Sequence, residues 1–333
     1  MPGARQWLVA TSAAVALTAT ACGGGASGGS GGTGAAGDVL DAFQKTSTAQ
    51  TLTTTIRLDA TAAALQALAH AGNASLDTSS ASAIKDASIV IETVKHDGKS
   101  DADIQVLEGS SPLVQLRSVN DSLYLQADVR GILTLLHKQK EFANLRAETK
   151  SMPSFVQAAL NGDWVSIPAA ALSSLAQAGG SGGGSSAANG IKLLTEIRDV
   201  LKRDVTVTSA GRDSRGQHYT LSGDEKMLAD DLQQAFSDSV PGGGVLGQRI
   251  PSAKATHRTI HLDAWVDSGS VSALSIDLAQ FGSPDTVPAG TTLPLVVTFQ
   301  QSGAAIAVPS GAVPVDMTQL GALYGALAGG SSG

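Results

Sequence analysis

Three glycine-rich motifs match patterns that enzymes use for nucleophilic catalysis or for cofactor binding. Gly25–Gly29 and Gly179–Gly183 read G-x-S-x-G, which presents a catalytic serine in hydrolases, and Gly32–Gly37 reads G-x-G-x-x-G, which cradles a dinucleotide. Both chemistries need the motif on a tight turn between a strand and a helix. All three motifs lie instead in runs of Gly, Ser, Ala and Thr without a preceding strand pattern. The sequence therefore predicts no catalytic residue and no cofactor.

The other candidate chemical groups do not complete a site either. Ser82–Lys85 reads S-x-x-K, but the K-T-G partner of the penicillin-binding proteins is missing. His257 and His261 lie four residues apart on a predicted strand, about 13 Å from each other and too far to share a metal ion. His261 and Asp263 could supply two ligands, but their alternation places them on a solvent face. The sequence therefore predicts no metal site, and a hydrolase would need a serine to converge with His218 or His261 and a carboxylate.

The single cysteine, Cys22, follows a segment organised like an export signal. Arg5 is its positive region, Trp7–Leu17 its short apolar core, and Ala19–Ala21 offers small residues for cleavage. The segment resembles the bacterial lipoprotein signal, in which the cysteine thiol receives a diacylglyceryl group. That resemblance implies a signal peptide over 1–21 and a lipid anchor on Cys22. The alternative is an ordinary cleaved signal with an incidental cysteine, since the core is too short to span a membrane.

Composition favours a protein held at the membrane by such an anchor. Residues 23–37 are almost wholly Gly, Ala, Ser and Thr, which predicts a flexible tether after Cys22. The chain has 333 residues, 42% hydrophobic and 15% charged, enough for a sizeable core. Its 22 Lys and Arg against 29 Asp and Glu give a net charge of −7, without the basic patch that a nucleic-acid partner requires. We therefore expect a lipid-anchored protein on the extracytoplasmic face of the cell membrane.

About eleven strand patterns and several helices follow the tether. Asp97-Gly98 and Asn120-Asp121 predict tight hairpins, so neighbouring strands should run antiparallel. Pro294 places the last strand near a sheet edge. The predicted class is α+β, with one large antiparallel sheet that must curl at this strand number and with helices covering it. We expect a single domain over 38–330, with flexible loops near 179–189 and 239–253.

Three segments carry a resemblance to a known family. They are Leu123–Leu125, Gly216–Leu221 and Ala264–Val271, and the likeness of organisation spans most of residues 38–300. The chain resembles the LolA-like lipoproteins of actinobacteria, including the lipid carriers of the LppX/LprG type. The resemblance implies a half-barrel sheet around a cavity for acyl chains, and a non-enzymatic protein that binds or shuttles a lipid or another amphiphile.

One predicted helix, over residues 128–145, is the candidate lid of that cavity. Its apolar positions include Ile132, Leu135, Leu136 and Phe142, which we expect to line the ligand side. The alternative is that this face simply seals the sheet. The alternative function is an envelope interaction or scaffold module with a filled core and no carried ligand.

Overall fold

The computed structural model describes residues 34–71, 75–168, 199–228 without 201, 230–231, 234, 257–281, 287 and 290–321. Within these residues, six α-helices and twelve strands have defined bounds. The predicted signal peptide over 1–21, the anchor Cys22, and the predicted loops near 179–189 and 239–253 lie outside the described residues. The last three residues of the predicted tether are helical: the first helix among the described residues spans Ala35–Ser47.

The strands, numbered along the chain, form a mostly antiparallel sheet. They are β1 Thr51–Leu58, β2 Ala87–His96, β3 Lys99–Glu108, β4 Ser111–Val119, β5 Ser122–Ala127, β6 Val165–Ile167, β7 Val205–Asp213, β8 Gly216–Asp224, β9 Thr259–Asp267, β10 Ser270–Asp277, β11 Pro294–Gln300 and β12 Val313–Pro314. The α-helices are α1 Ala35–Ser47, α2 Ala62–Ala71, α3 Thr78–Asp86, α4 Val129–Leu135, α5 Gln139–Glu148 and α6 Ser154–Asn161. The predicted α+β class with a large antiparallel sheet is confirmed.

The chain divides into two compact units, of which the first comprises residues 1–86 and 181–303. Its strands lie in the order β1-β11-β10-β9-β8-β7, and each neighbouring pair is antiparallel. The prediction that Pro294 marks an edge strand is wrong, because β11 lies between β1 and β10. Pro294 is tolerated there because it is the first residue of the strand.

One face of this sheet is buried under α1. The helix buries Val39 and Ala42, and Val39 packs in a cluster with Tyr219, Leu221 and Ala264. A hydrogen bond from the backbone N–H of Val271 to the hydroxyl of Thr46, 2.8 Å, fixes the other end of the helix. The apolar interior of the first unit is therefore occupied by its own N-terminal helix.

The Tyr219 hydroxyl donates a hydrogen bond of 3.1 Å to Asp38 on α1. Burial, and secondarily this bond to the carboxylate, raises the pKa of Tyr219 above its ordinary value of 10.0. The folded state therefore retains the phenol proton more tightly than the unfolded chain does. This contribution to stability is fully present below the pKa of an unfolded tyrosine and is lost as pH rises through the higher folded value.

We expect Tyr219→Phe to lower the free energy of unfolding by about 1 kcal/mol at neutral pH, because one hydrogen bond to a carboxylate is removed. The deficit should shrink at alkaline pH, where the wild type loses its own contribution. Urea denaturation as a function of pH measures both effects. A variant whose deficit stays constant through the alkaline range would contradict the assigned hydrogen bond.

The second unit comprises residues 87–180 and 304–333. Its strands lie in the order β12-β6-β5-β4-β3-β2, antiparallel except for the parallel pair β6 and β12. The predicted hairpins are confirmed: Asp97, Gly98, Asn120 and Asp121 all have positive φ. Helix α6 buries Phe155 and Ala158 against Val165, and it ends at Gly162 in the left-handed conformation, as the sequence predicts.

The predicted single helix over 128–145 is wrong, because α4 ends at Leu135 and α5 begins only at Gln139. His137 between them has a φ of 57°, which a continuous right-handed helix does not contain. The backbone N–H of Lys138 donates back into α4 at 2.7 Å and closes the turn. The apolar spacing continues across this break, so periodicity alone does not reveal it.

Two further elements differ from the sequence-based expectation. The Ala-rich segment 61–85, to which no element is assigned from the sequence, forms α2 and α3. The short strand β12 is also unexpected: its two residues pair with Val165 and Ser166. So short an element has no period that a sequence pattern can reveal.

Candidate functional site

The sheet of the second unit carries two rows of aliphatic side chains on one face. The register between β2, β3, β4 and β5 places one residue of each strand side by side and so forms a row. The two rows are two residues apart along each strand. We call these eight residues the apolar face. They are Ile91, Ile104, Leu116 and Leu125 in one row, and Ile89, Val106, Val114 and Ala127 in the other.

Most of the apolar face remains accessible to solvent. Ile91 is the only one of its eight residues that is fully buried, and Leu125 is 37% exposed. The row that contains Leu125 continues to Val165, which α6 covers. An aliphatic surface of this kind is costly to leave in water, and such patches mark sites for ligands or partners.

The dimensions of the apolar face suit a hydrocarbon chain. Four strands at 4.7–4.9 Å spacing make it about 15 Å wide, and its two rows lie about 7 Å apart. Each methylene buried on it would contribute about 0.8 kcal/mol. The face therefore provides length and apolar contact without a polar anchor, which is what binding of an acyl chain requires.

The opposite face of the same sheet, here called the polar face, carries a hydrogen-bonded cluster of polar side chains among its aliphatic ones. Asp103 accepts bonds from Gln115, at 2.8 and 3.0 Å, and from Arg117, at 2.8 Å. Arg117 also donates to the carbonyl of Ala307 and lies 5.1 Å from the ring of Trp164. These contacts hold together the strands that carry the apolar face.

The predicted lid residues fall on two helices rather than on one. Ile132 and Leu135 on α4 and Phe142 on α5 are half-buried, whereas Leu136 at the break is 59% exposed. The buried side chain of α4 is Leu133, which the sequence analysis did not select. Whether the four predicted residues line a ligand stays a prediction.

Sequence reasoning missed the apolar face itself, although its signals were available. The strand patterns that contain Ile104, Val106 and Leu125 were recognised one by one as separate strands. The two tight hairpin turns also fix the register between neighbouring strands. The register that these turns fix, combined with the alternation of side chains along each strand, would have predicted that the two rows align.

A hollow in the first unit lies between α1 and the strands β7 and β8. Its lining is apolar except for Lys202, with Val39, Leu40, Val205 and Leu221 among the residues. Its volume is about 20 Å³, which is room for about one water molecule. This hollow is too small for an acyl chain.

A histidine and a carboxylate do converge in the first unit. The Nε2 atom of His218 lies 2.8 Å from Asp263, and its ring stacks on that of Trp265 at 4.6 Å. The hydroxyl in this group belongs to Thr220, and it donates to the same carboxylate oxygen at 3.2 Å, not to the imidazole. The arrangement therefore orients His218 as a structural group between two strands and does not present an activated nucleophile.

The other side of Trp265 is also occupied by polar groups. The Arg215 guanidinium lies 3.5 Å from the ring centroid, and the indole N–H donates to Asp213 at 2.8 Å. The backbone N–H of Arg215, and secondarily the indole N–H, hold the pKa of Asp213 below its ordinary value. The ring of Trp265 is therefore covered by His218 and Arg215, and its N–H is hydrogen-bonded.

Two kinds of functional feature, a metal site and a membrane-spanning helix, are absent from the described residues. These residues contain no group of three or more His, Cys, Asp or Glu side chains that could hold a metal ion. Within the same part of the chain, no helix combines the length and the apolar character needed to cross a bilayer.

Comparison with known proteins gives structural matches only. No protein-family model and no curated protein matches the sequence. The structure is similar to LprF from Mycobacterium bovis, with 13% identity, a TM-score of 0.37, and coverage of 85% of this chain and 100% of that chain. It is also similar to the Mycobacterium tuberculosis lipoprotein LppX, with 10% identity, a TM-score of 0.34, and coverage of 82% and 97%. The resemblance predicted from the sequence is confirmed as a structural similarity, which at these scores says nothing about a ligand.

Proposed function

We propose that this protein is an acylated lipoprotein of the cell envelope that binds or shuttles a lipid or another amphiphile and catalyses no reaction. The anchor would be Cys22, which places the folded part at the extracytoplasmic face of the membrane. The ligand would bind on the apolar face. The observation that carries the proposal is that seven of the eight aliphatic residues of this face are only partly buried, in two aligned rows across four strands.

Two features of the described residues support ligand binding over catalysis. The apolar face offers contact area but no polar group that would orient a reacting bond. The histidine–carboxylate pair of the first unit has no hydroxyl donating to its imidazole, and its tryptophan is buried. A histidine–carboxylate pair arranged in this way stabilises the pairing of two neighbouring strands.

The second candidate function is an envelope interaction module without a carried ligand. The hollow under α1 favours it, because a volume of about 20 Å³ shows that this part of the first unit is filled by side chains. In that case the apolar face would contact another protein instead of an acyl chain.

The two candidates are separated by mass spectrometry of an organic extract of the purified full-length protein, together with titration by a fluorescent long-chain fatty acid. A carrier should yield co-purified lipid and saturable probe binding. The variant Leu116→Asn/Leu125→Asn should bind the probe roughly 25-fold more weakly, since partial contact with each leucine is worth about 1 kcal/mol. An extract without lipid, combined with equal probe binding by wild type and variant, would favour the interaction module.

The matched control is Val308→Asn. Val308 is a 48% exposed aliphatic residue of the same unit, next to the Ala307 carbonyl that Arg117 contacts from the polar face. This variant should bind the probe as the wild type does. Because Leu125 is itself partly exposed, its polar replacement should leave the sheet folded, and circular dichroism checks this.

A further inference from the structure

The break between α4 and α5 presents a leucine to solvent on a closed turn. Leu136 is 59% exposed, the highest value among the exposed large hydrophobic side chains of the described residues. Its position does not result from fraying, because the backbone N–H groups of Leu136, His137 and Lys138 all donate to carbonyls of α4, at 3.1, 3.1 and 2.7 Å. We call residues Leu136–Lys140 the elbow.

The elbow lies in a stretch with a local excess of basic residues, although the protein as a whole is acidic. Residues 128–150 contain five Lys or Arg and three Asp or Glu, whereas the whole chain has a net charge of −7. Lys138 and Lys140 both follow Leu136 within four residues, and both are exposed. Lys138 lies 3.3 Å from Glu141, and this exposed pair leaves the elbow with a net positive charge.

An exposed apolar side chain with two lysines close after it in the chain has the chemistry of an interfacial membrane contact. Apolar residues enter the boundary between headgroups and acyl chains, while lysines extend their ammonium groups to the headgroup level. Each lysine near an anionic leaflet contributes roughly fivefold in affinity.

We propose that the elbow docks this protein onto an anionic bilayer surface, with Leu136 in the interface and Lys138 and Lys140 at the headgroups. The contact would act alongside the diacylglyceryl group of Cys22 as a second membrane contact, located on the folded part of the chain rather than before the tether. In that respect the inference rests on the proposed membrane location.

The single cysteine of the chain allows a site-specific test. In the full chain with Cys22→Ser, Leu136→Cys gives one thiol for an environment-sensitive fluorophore. The matched control is Ile84→Cys in the same background, at a 39% exposed aliphatic residue of α3. The probes are vesicles of phosphatidylcholine mixed with phosphatidylglycerol and vesicles of phosphatidylcholine alone, each with and without a spin-labelled lipid as quencher.

We expect a blue shift and quenching of the label at position 136 with the anionic vesicles only, and no change at position 84. Adding Lys138→Gln/Lys140→Gln should weaken the vesicle affinity by about 25-fold. Equal responses at the two positions, equal responses to neutral and anionic vesicles, or no effect of the lysine substitutions would each overturn the proposal.

Failure of this inference is distinguishable from failure of the proposed function. The fatty-acid titration is carried out without vesicles, and the variant Lys138→Gln/Lys140→Gln should bind that probe as the wild type does. Loss of the vesicle response with intact, Leu125-dependent fatty-acid binding would reject the elbow alone. A retained vesicle response in a protein that carries no lipid would reject the carrier function alone.

Discussion

Replacing Arg117 with methionine should lower the free energy of unfolding by about 3–5 kcal/mol, because it leaves a buried carboxylate without its counter-ion. The Asp103 side chain is 4% exposed, and Arg117 lies 2.8 Å from it with 18% exposure. Gln115 alone would then donate strong hydrogen bonds to a charge that water cannot reach. The variant also loses the bond to the carbonyl of Ala307 and the contact with Trp164.

Urea denaturation measures the loss, and hydrogen exchange of peptides from β3 and β4 locates it. The double variant Asp103→Leu/Arg117→Met should recover much of the stability, since no buried charge remains. Lys99→Met is the control: it breaks a 2.7 Å pair with Asp121 whose side chains are 61% and 66% exposed, and stability should hardly change. Similar losses for Lys99→Met and Arg117→Met would contradict the role assigned to the buried pair.

This prediction bears on function because the same strands carry the apolar face on their other side. If the polar face loosens, the aliphatic rows lose their register. Arg117→Met should therefore also weaken binding of the fatty-acid probe, whereas Lys99→Met should not. A variant that unfolds partly and still binds the probe with wild-type affinity would place the binding site elsewhere.

Gly216→Ala should destabilise the protein by about 4 kcal/mol, the sum of backbone strain and a steric clash. Gly216 begins β8 with a φ of 129°, a conformation that residues with a Cβ rarely adopt. A Cβ atom there would also overlap the carbonyl oxygen of Val266 on the paired strand β9. That oxygen belongs to the backbone of a central strand and cannot turn away.

Gly211→Ala is the matched control for this effect. Gly211 lies on the neighbouring strand with a φ of 102°, and a Cβ atom would meet nothing within 4 Å. Its substitution should cost only the strain, about 1–2 kcal/mol. The difference between the two midpoints of thermal denaturation isolates the clash. Equal losses would mean that β9 can shift to accommodate a side chain at Gly216.

Local chemistry explains which parts of the fold can be predicted from the sequence. Asp97-Gly98 and Asn120-Asp121 supply the residues that tolerate positive φ, so the hairpins follow from four residues and their neighbours. Gly162 ends α6 for the same reason. The alternation of β1 likewise places Leu52 and Ile56 inside without any knowledge of their partners.

Sequence alone thus determined the strands, most turns and the α+β class of this protein, since these depend on contacts between near neighbours in the chain. The tertiary structure decided which apolar surfaces are covered. In the sequence, Pro294 indicates an edge strand, but the structure pairs β1 with β11. The periodicity of residues 128–145 predicts one helix, but the structure closes a turn at His137. Whether an aliphatic row is core or surface depends on the element that packs against it, and long-range packing of that kind leaves no periodic trace in the chain.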